Sequence, residues 1–152
     1  MGKIRFYEDA TVTGFPTIKI GEGQLEGLVM MVDTGSNDNV IFGKVFNQWP
    51  DRFRLVEGKT PLYGIDGKVT NLCRAEATLS FCGHEHDMLF LVKQDDKAYH
   101  KLSEDLGFPI AGLIGTNFMA EHDWMIDYGK QEIVIPDYDI SFREVVALSQ
   151  KK

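Results

Sequence analysis

A carboxylate stands where an apolar strand ends, in the stretch VMMVDTGSNDN (29–39). Asp33 follows Val and Met residues and is itself followed by small residues, Thr34, Gly35 and Ser36. An Asp at such a place often caps a turn by accepting hydrogen bonds from backbone N–H groups. The other interpretation is a general base at the floor of a cleft: Gly35 lets backbone approach closely, and Ser36 can donate a hydrogen bond to the carboxylate. These residues by themselves leave both interpretations open.

Two other motifs resemble known functional sites, but the residues around them do not fit those functions. GEGQLEG (21–27) follows a strand-like segment, but the next segment, GLVMMV (27–32), is a second strand and not the helix that a dinucleotide-binding loop requires. The segment is therefore interpreted as a hairpin turn. Cys82, His84 and His86 lie within one turn, yet no fourth ligand follows at a typical spacing. We expect no metal and no cofactor.

Composition and charge narrow the class of protein. The chain has 152 residues, of which 43% are hydrophobic and 11% aromatic, as expected for one soluble globular domain over residues 1–152. Its 16 basic and 23 acidic residues give a net charge of −7, which argues against a nucleic-acid partner because phosphate contacts need clustered positive charge. No apolar stretch approaches the length of a membrane span, and two cysteines make no disulfide framework. We expect a cytoplasmic protein with free thiols and no membrane partner.

Strand-like segments that could position the Asp33 loop dominate the chain. They are rich in β-branched and aromatic residues and comprise TIKI (17–20), GLVMMV (27–32), NVIF (39–42), EATLSF (76–81), DMLFLV (87–92), WMID (124–127) and QEIVI (131–135). SFCGHEHDMLFLV (80–92) is typical of a hairpin that turns near Gly83 and His84. Helical signals are few and short: KVFNQW (44–49), KAYHKLSEDL (97–106) and SFREVVAL (141–148). The chain is predicted to be mostly β with small helical inserts.

An apolar strand followed by Asp-Thr-Gly-Ser resembles the active-site loop of aspartic proteases, and a second segment supports that resemblance. AGLIGTNFMAEHDWMIDYGKQEIVI (111–135) is similar to the other half of that family's signature, in which Leu113, Ile114 and Gly115 would pass behind the loop. Between the two lies a strand–turn–strand segment, PLYGIDGKVTNL (61–72), in the place of the family's flap. Three elements in this order make the chain similar to the retropepsin-like, single-domain members.

This resemblance implies a closed β-barrel of the acid-protease type and the activity of an aspartic endopeptidase. Such an enzyme uses two carboxylates that flank one water, one acting as base and the other as acid. The chain contains one Asp-Thr-Gly, so the second Asp33 would come from another copy in a homodimer. At roughly 4 Å and an effective dielectric near 20, two such charges repel by about 4 kcal/mol, and the pair holds one proton between them. Thr34 would bond across the two-fold axis.

The flap is interpreted by the same resemblance. Tyr63 and Ile65 would line the cleft. Gly64 and Gly67 would let the hairpin open and close over an extended peptide or protein substrate. The same glycines also fit an ordinary surface hairpin, because flap sequences carry little that is diagnostic.

Two features depart from the family's pattern. The chain continues past QEIVI into residues 136–152, a predicted helical tail, whereas retropepsin termini commonly interleave as strands at the dimer interface. An insert at 43–60 with three aromatic residues could pack on the core or restrict the cleft. These departures keep an alternative open: a catalytically silent, protease-like module for dimerisation or peptide binding, in which Asp33 is retained without a working dyad.

Overall fold

The computed structural model describes residues 2–63 and 66–136. In chain order, its elements are β1 (Gly2–Arg5), α1 (Ala10–Thr13), β2 (Thr17–Lys19), β3 (Glu22–Gly23), β4 (Val29–Asp33), β5 (Asn39–Phe42), α2 (Gly43–Gln48), a 3₁₀ turn (Pro50–Arg52), β6 (Arg54–Tyr63), β7 (Val69–Phe81), β8 (His84–Lys93), α3 (Asp96–Leu106), β9 (Gly112–Gly115), α4 (Thr116–Glu121), β10 (Met125–Asp127) and β11 (Glu132–Ile135). Each of the seven predicted strands overlaps an observed one. The prediction of a mostly-β fold is confirmed.

The hairpin of β7 and β8 turns one residue earlier than expected. Phe81 pairs with His84, so the turn consists of Cys82 and Gly83. Both residues have positive φ, 53° and 84°, as a two-residue hairpin turn that matches the twist of the strands requires. Glycine adopts this conformation without strain, which explains why the turn falls at Gly83.

Strand β6 was missed over its first half, because the sequence there has weak strand propensity. Glu57, Gly58 and Lys59 interrupt the apolar pattern, and the pairing with β7 shifts register between Val56 and Lys59. Pairing along most of the length of β7 makes this segment a strand all the same. Tertiary pairing thus overrides local propensity here.

In the part of the chain that the structure describes, the strands form two sheets. One has the order β1-β11-β10, and the other has eight strands in the order β2-β4-β9-β5-β8-β7-β3, with β6 paired to β7. Neither sheet closes on itself, so the predicted closed barrel is not confirmed. In the larger sheet β4 is parallel to β9 and β5 is parallel to β8, whereas β9 and β5 are antiparallel. This order places Asp33, at the end of β4, beside Gly115 at the end of β9.

The central strands have one buried face and one that is only partly covered. Alternate residues of a strand point to opposite faces of the sheet. Val32, Ile41 and Ile114 point into the main core and are 0–3% exposed. Burial of an aliphatic side chain of this size stabilises the fold by roughly 1.5–3 kcal/mol. Met31 and Asp33 point to the other face, where the candidate site lies.

The insert at 43–60 packs against the core and leaves the cleft open. It forms α2, the 3₁₀ turn and the first half of β6. Phe53 is buried, and Phe46 and Trp49 pack against the same main core. All but the first residue of the predicted helical tail at 136–152 lie outside the described residues, as do Gly64 and Ile65.

Candidate active site

Asp33 is held at the head of a tight loop. Its side chain is half-buried, and its Oδ1 accepts a hydrogen bond of 2.9 Å from the backbone N–H of Gly35. The sequence allows the Ser36 hydroxyl to donate to this carboxylate, but in the structure its Oγ donates to the carbonyl oxygen of Asp38 at 2.7 Å. Ser36 therefore closes the loop on itself, and the second oxygen of the Asp33 carboxylate accepts no hydrogen bond from residues 2–63 and 66–136.

Helix α4 clamps this loop from behind. The first N–H groups of a helix have no partner within the helix. Those of Thr116 and Asn117 donate to the carbonyl oxygens of Ser36 and Asn37, at 2.7 and 3.0 Å. The Thr116 hydroxyl adds a third bond, to the Thr34 carbonyl at 2.7 Å. The loop that carries Asp33 is thus fixed by the start of a helix 80 residues further along the chain.

Asn39 is a residue that sequence reasoning missed. It is 8% exposed, its Oδ1 accepts the N–H of Gly115 at 2.9 Å, and its Nδ2 donates to the Leu89 carbonyl at 3.1 Å. One side chain therefore satisfies backbone groups on both β9 and β8 and joins them to the Asp33 loop. The feature of the sequence that could have revealed its role is a polar amide as the first residue of the otherwise apolar segment NVIF.

Leu113, Ile114 and Gly115, which the resemblance predicts behind the Asp33 loop, lie beside it in the structure. Leu113 and Ile114 of β9 pair with Met31 and Val32, and Gly115 pairs with Asp33. Ile114 is fully buried, whereas Leu113 points to the partly covered face. The three predicted residues are therefore adjacent to Asp33 through strand pairing.

A cleft of about 920 Å³ opens in front of Asp33. Its lining comes from the Asp33 loop, the hairpin of β6 and β7, the sheet face and α3. Tyr63, at the end of β6, lines the cleft and is 73% exposed, and Gly67 has a φ of 81° in the turn that follows. Gly64 and Ile65, the other two residues predicted at the flap, lie outside the described residues. The hairpin of β6 and β7 thus lines one side of the cleft.

A pair of imidazoles lies near the far end of α4. The ring centroids of His86 and His122 are 4.2 Å apart, and Phe118 packs on both rings. Burial lowers the pKa of His86, and the neighbouring His122 and His84 lower it further. The charged groups around this pair are acidic: Glu121 opposes the shift, and Glu85 and Asp87 line the same groove. The folded protein therefore favours the neutral form of His86.

We expect the folded protein to lose stability as the pH falls through the range in which His86 titrates. Because its pKa is lower in the folded than in the unfolded state, the unfolded state binds the proton more readily, and stability falls from about pH 6.5 downward. Replacing His86 by Phe should flatten the dependence of the melting temperature on pH between pH 7.5 and 5. His100→Phe, on the exposed side of α3, is the control and should keep the wild-type slope. Equal slopes for His86→Phe and wild type would contradict the assignment.

The described residues contain no arrangement of three or more His, Cys, Asp or Glu side chains that could hold a metal ion. None of the helices in residues 2–63 and 66–136 is long and apolar enough to cross a membrane.

The comparisons with known proteins establish the fold. No protein-family model matches the chain, and no curated protein matches it in sequence. Among solved structures, EIAV protease in complex with the inhibitor HBY-793 is similar with a TM-score of 0.51 and 18% sequence identity, over 70% of this chain and 86% of that one. The retroviral protease-like domain of Ddi1 from Leishmania major is similar with a TM-score of 0.52 and 13% identity, over 89% and 90% of the two chains. The fold is therefore retropepsin-like, as the sequence resemblance predicted.

Proposed function

We propose that this protein is an aspartic endopeptidase that works as a homodimer, with residues 1–152 forming one domain. The observation that carries the proposal is the placement of Asp33 on a loop clamped by α4, at a cleft of about 920 Å³ that a hairpin also lines. Among the described residues, one oxygen of its carboxylate has no hydrogen-bond donor. The retropepsin-like fold supports it. Since the sequence holds one Asp-Thr-Gly, a dyad requires two copies.

In the proposed mechanism the two Asp33 carboxylates share one proton and hold a water between them. The ionised member takes a proton from the water as it attacks the peptide carbonyl, and the protonated member donates to the developing oxyanion. Gly35 keeps one carboxylate oxygen in place through its N–H, and the other oxygen is proposed to face the partner subunit. Thr34 is proposed to bond across the two-fold axis, and its backbone carbonyl is already held by Thr116.

The remaining site residues have proposed supporting roles. Leu113, Ile114 and Gly115 carry the loop from the side, and Ser36 closes it. Tyr63 and Gly67 are proposed to act in a flap over an extended peptide, and the same role stays a prediction for Gly64 and Ile65. The exposed free thiols of Cys73 and Cys82 support a reducing compartment such as the cytoplasm.

The test measures cleavage and mass together. The wild-type protein is incubated with a mixed peptide library between pH 4 and 7.5, and its solution mass is recorded by light scattering. A dimer that cuts at defined bonds supports the proposal. A monomer that binds peptides without cutting them would favour the alternative, a protease-like peptide-binding module, and a protein that neither cuts nor binds would overturn both.

A further inference from the structure

Three residues of strand β4 point to the partly covered face of the sheet. Along β4 these are Val29, Met31 and Asp33, spaced by about 6.7 Å because two residues of a strand rise that far. Val29 is 9% exposed beneath α3, Met31 is half-buried in the cleft, and Asp33 stands at the end. Val29, which α3 covers, therefore lies about 13 Å along the strand from Asp33. The space between them lies above Met31.

The floor and the wall of this space are apolar. Strand register places Met31, Leu113 and Val40 side by side across β4, β9 and β5. Ala98 and Leu102 of α3 line the same cleft. Charged side chains also line the cleft: those of the Asp33 loop and of the hairpin, and Lys93 and Asp95 just before α3. Between the apolar surfaces themselves, a charged substrate side chain would lose its hydration.

Helix α3 is fixed well enough to act as a wall. The Asp95 side chain caps its start by accepting the N–H of Lys97 at 3.0 Å, and Gly107, with a φ of 80°, ends it. Tyr99 packs edge-to-face on Phe42 with ring centroids 5.8 Å apart. Ser103 Oγ accepts the N–H of Ile110 at 3.2 Å and ties the helix to the start of the next segment.

We propose that α3, the helix inserted between β8 and β9, forms the end wall of the subsite next to the scissile bond and sets the largest side chain accepted there. Leu102 and Ala98 are the specificity-determining residues. The subsite takes an apolar side chain of the size of Leu or Met and excludes Trp. This inference rests on the proposed endopeptidase, because it places the subsite beside Asp33.

The test changes the depth of the subsite in both directions. Peptides that carry Ala, Val, Leu, Met, Phe or Trp at the position next to the cleaved bond are compared by kcat/KM. Leu102→Ala should shift the preference from Leu toward Phe and Trp by at least about tenfold, and Ala98→Leu should shift it toward Ala and Val by a similar factor, since each methylene in such a pocket changes discrimination by roughly 10- to 200-fold.

Leu106→Ala is the matched control. Leu106 lies on the same helix and packs on the same buried cluster as Leu102, but it does not line the cleft. The Leu106→Ala variant should be less stable than the wild type but keep its preference among the six peptides. An unchanged preference in Leu102→Ala, or the same change in Leu106→Ala, would overturn the inference.

A second measurement separates this inference from the proposed function. The same peptides are tested for retention on immobilised Asp33→Asn protein, with and without Leu102→Ala. If the wild type cuts no peptide, the endopeptidase proposal fails, and the retained peptides still report whether Leu102 sets the size of the subsite. If the wild type cuts but neither readout responds to Leu102→Ala, the endopeptidase proposal stands and the assignment of α3 fails.

Discussion

Asp33→Asn is expected to reduce peptide cleavage by at least about 10³-fold while the fold and the dimer persist. Asn has the shape of Asp and its amide oxygen can still accept the Gly35 N–H, so the loop keeps its geometry. The amide can neither take a proton from the water nor share one with its partner, and general acid–base catalysis contributes roughly 10²- to 10⁴-fold per group. Initial rates, circular dichroism and light scattering on the same preparation provide the measurement.

Asp127→Asn is the control for this prediction. It makes the same change of charge at the end of β10, where the Asp127 carboxylate accepts the N–H of Lys130 at 3.0 Å. We expect this variant to lose stability chiefly and to retain most of its cleavage. Retained activity in Asp33→Asn would show that the catalytic assignment is wrong.

Gly115→Ala is expected to destabilise the protein by about 3 kcal/mol and to reduce cleavage by about 100-fold. A Cβ at this position would meet the carbonyl oxygen of Asp38 and lie 2.9 Å from that of Asn37. Both are backbone atoms of the Asp33 loop, which cannot rotate away as a side chain would. The loop must shift, and the bond from the Gly115 N–H to Asn39 shifts with it. Chemical denaturation and initial rates give the two magnitudes.

Gly21→Ala is the matched control, because a Cβ at Gly21 meets nothing within 4 Å. This substitution should change the free energy of unfolding by no more than about 0.5 kcal/mol. If Gly115→Ala were as mild as Gly21→Ala, the close packing of β9 against the Asp33 loop would not matter for the site.

The sequence predicted these strands well because the pattern that favours a strand lies within each segment. NVIF coincides with β5, and EATLSF and DMLFLV fall within β7 and β8. The two-residue period and the β-branched content are properties of each segment by itself. The first half of β6 and the short strands β1 and β3 were missed, because only pairing with distant strands makes them extended. The position of the Asp33 loop was predicted from Asp-Thr-Gly-Ser and its neighbours, whereas its hydrogen bonds were not.

The sequence by itself determined the mostly-β class, the Asp33 loop, the companion segment around Leu113 and the order of these elements along the chain, since each depends on residue types within a few positions. The tertiary structure decided what holds the loop and what bounds the cleft. Thr116 and Asn39 reach the loop across long stretches of chain, and α3 meets the cleft only because β4, β9 and β5 lie side by side. Contacts of this kind depend on which distant strands pair, and the residue types along one segment do not determine its distant partner.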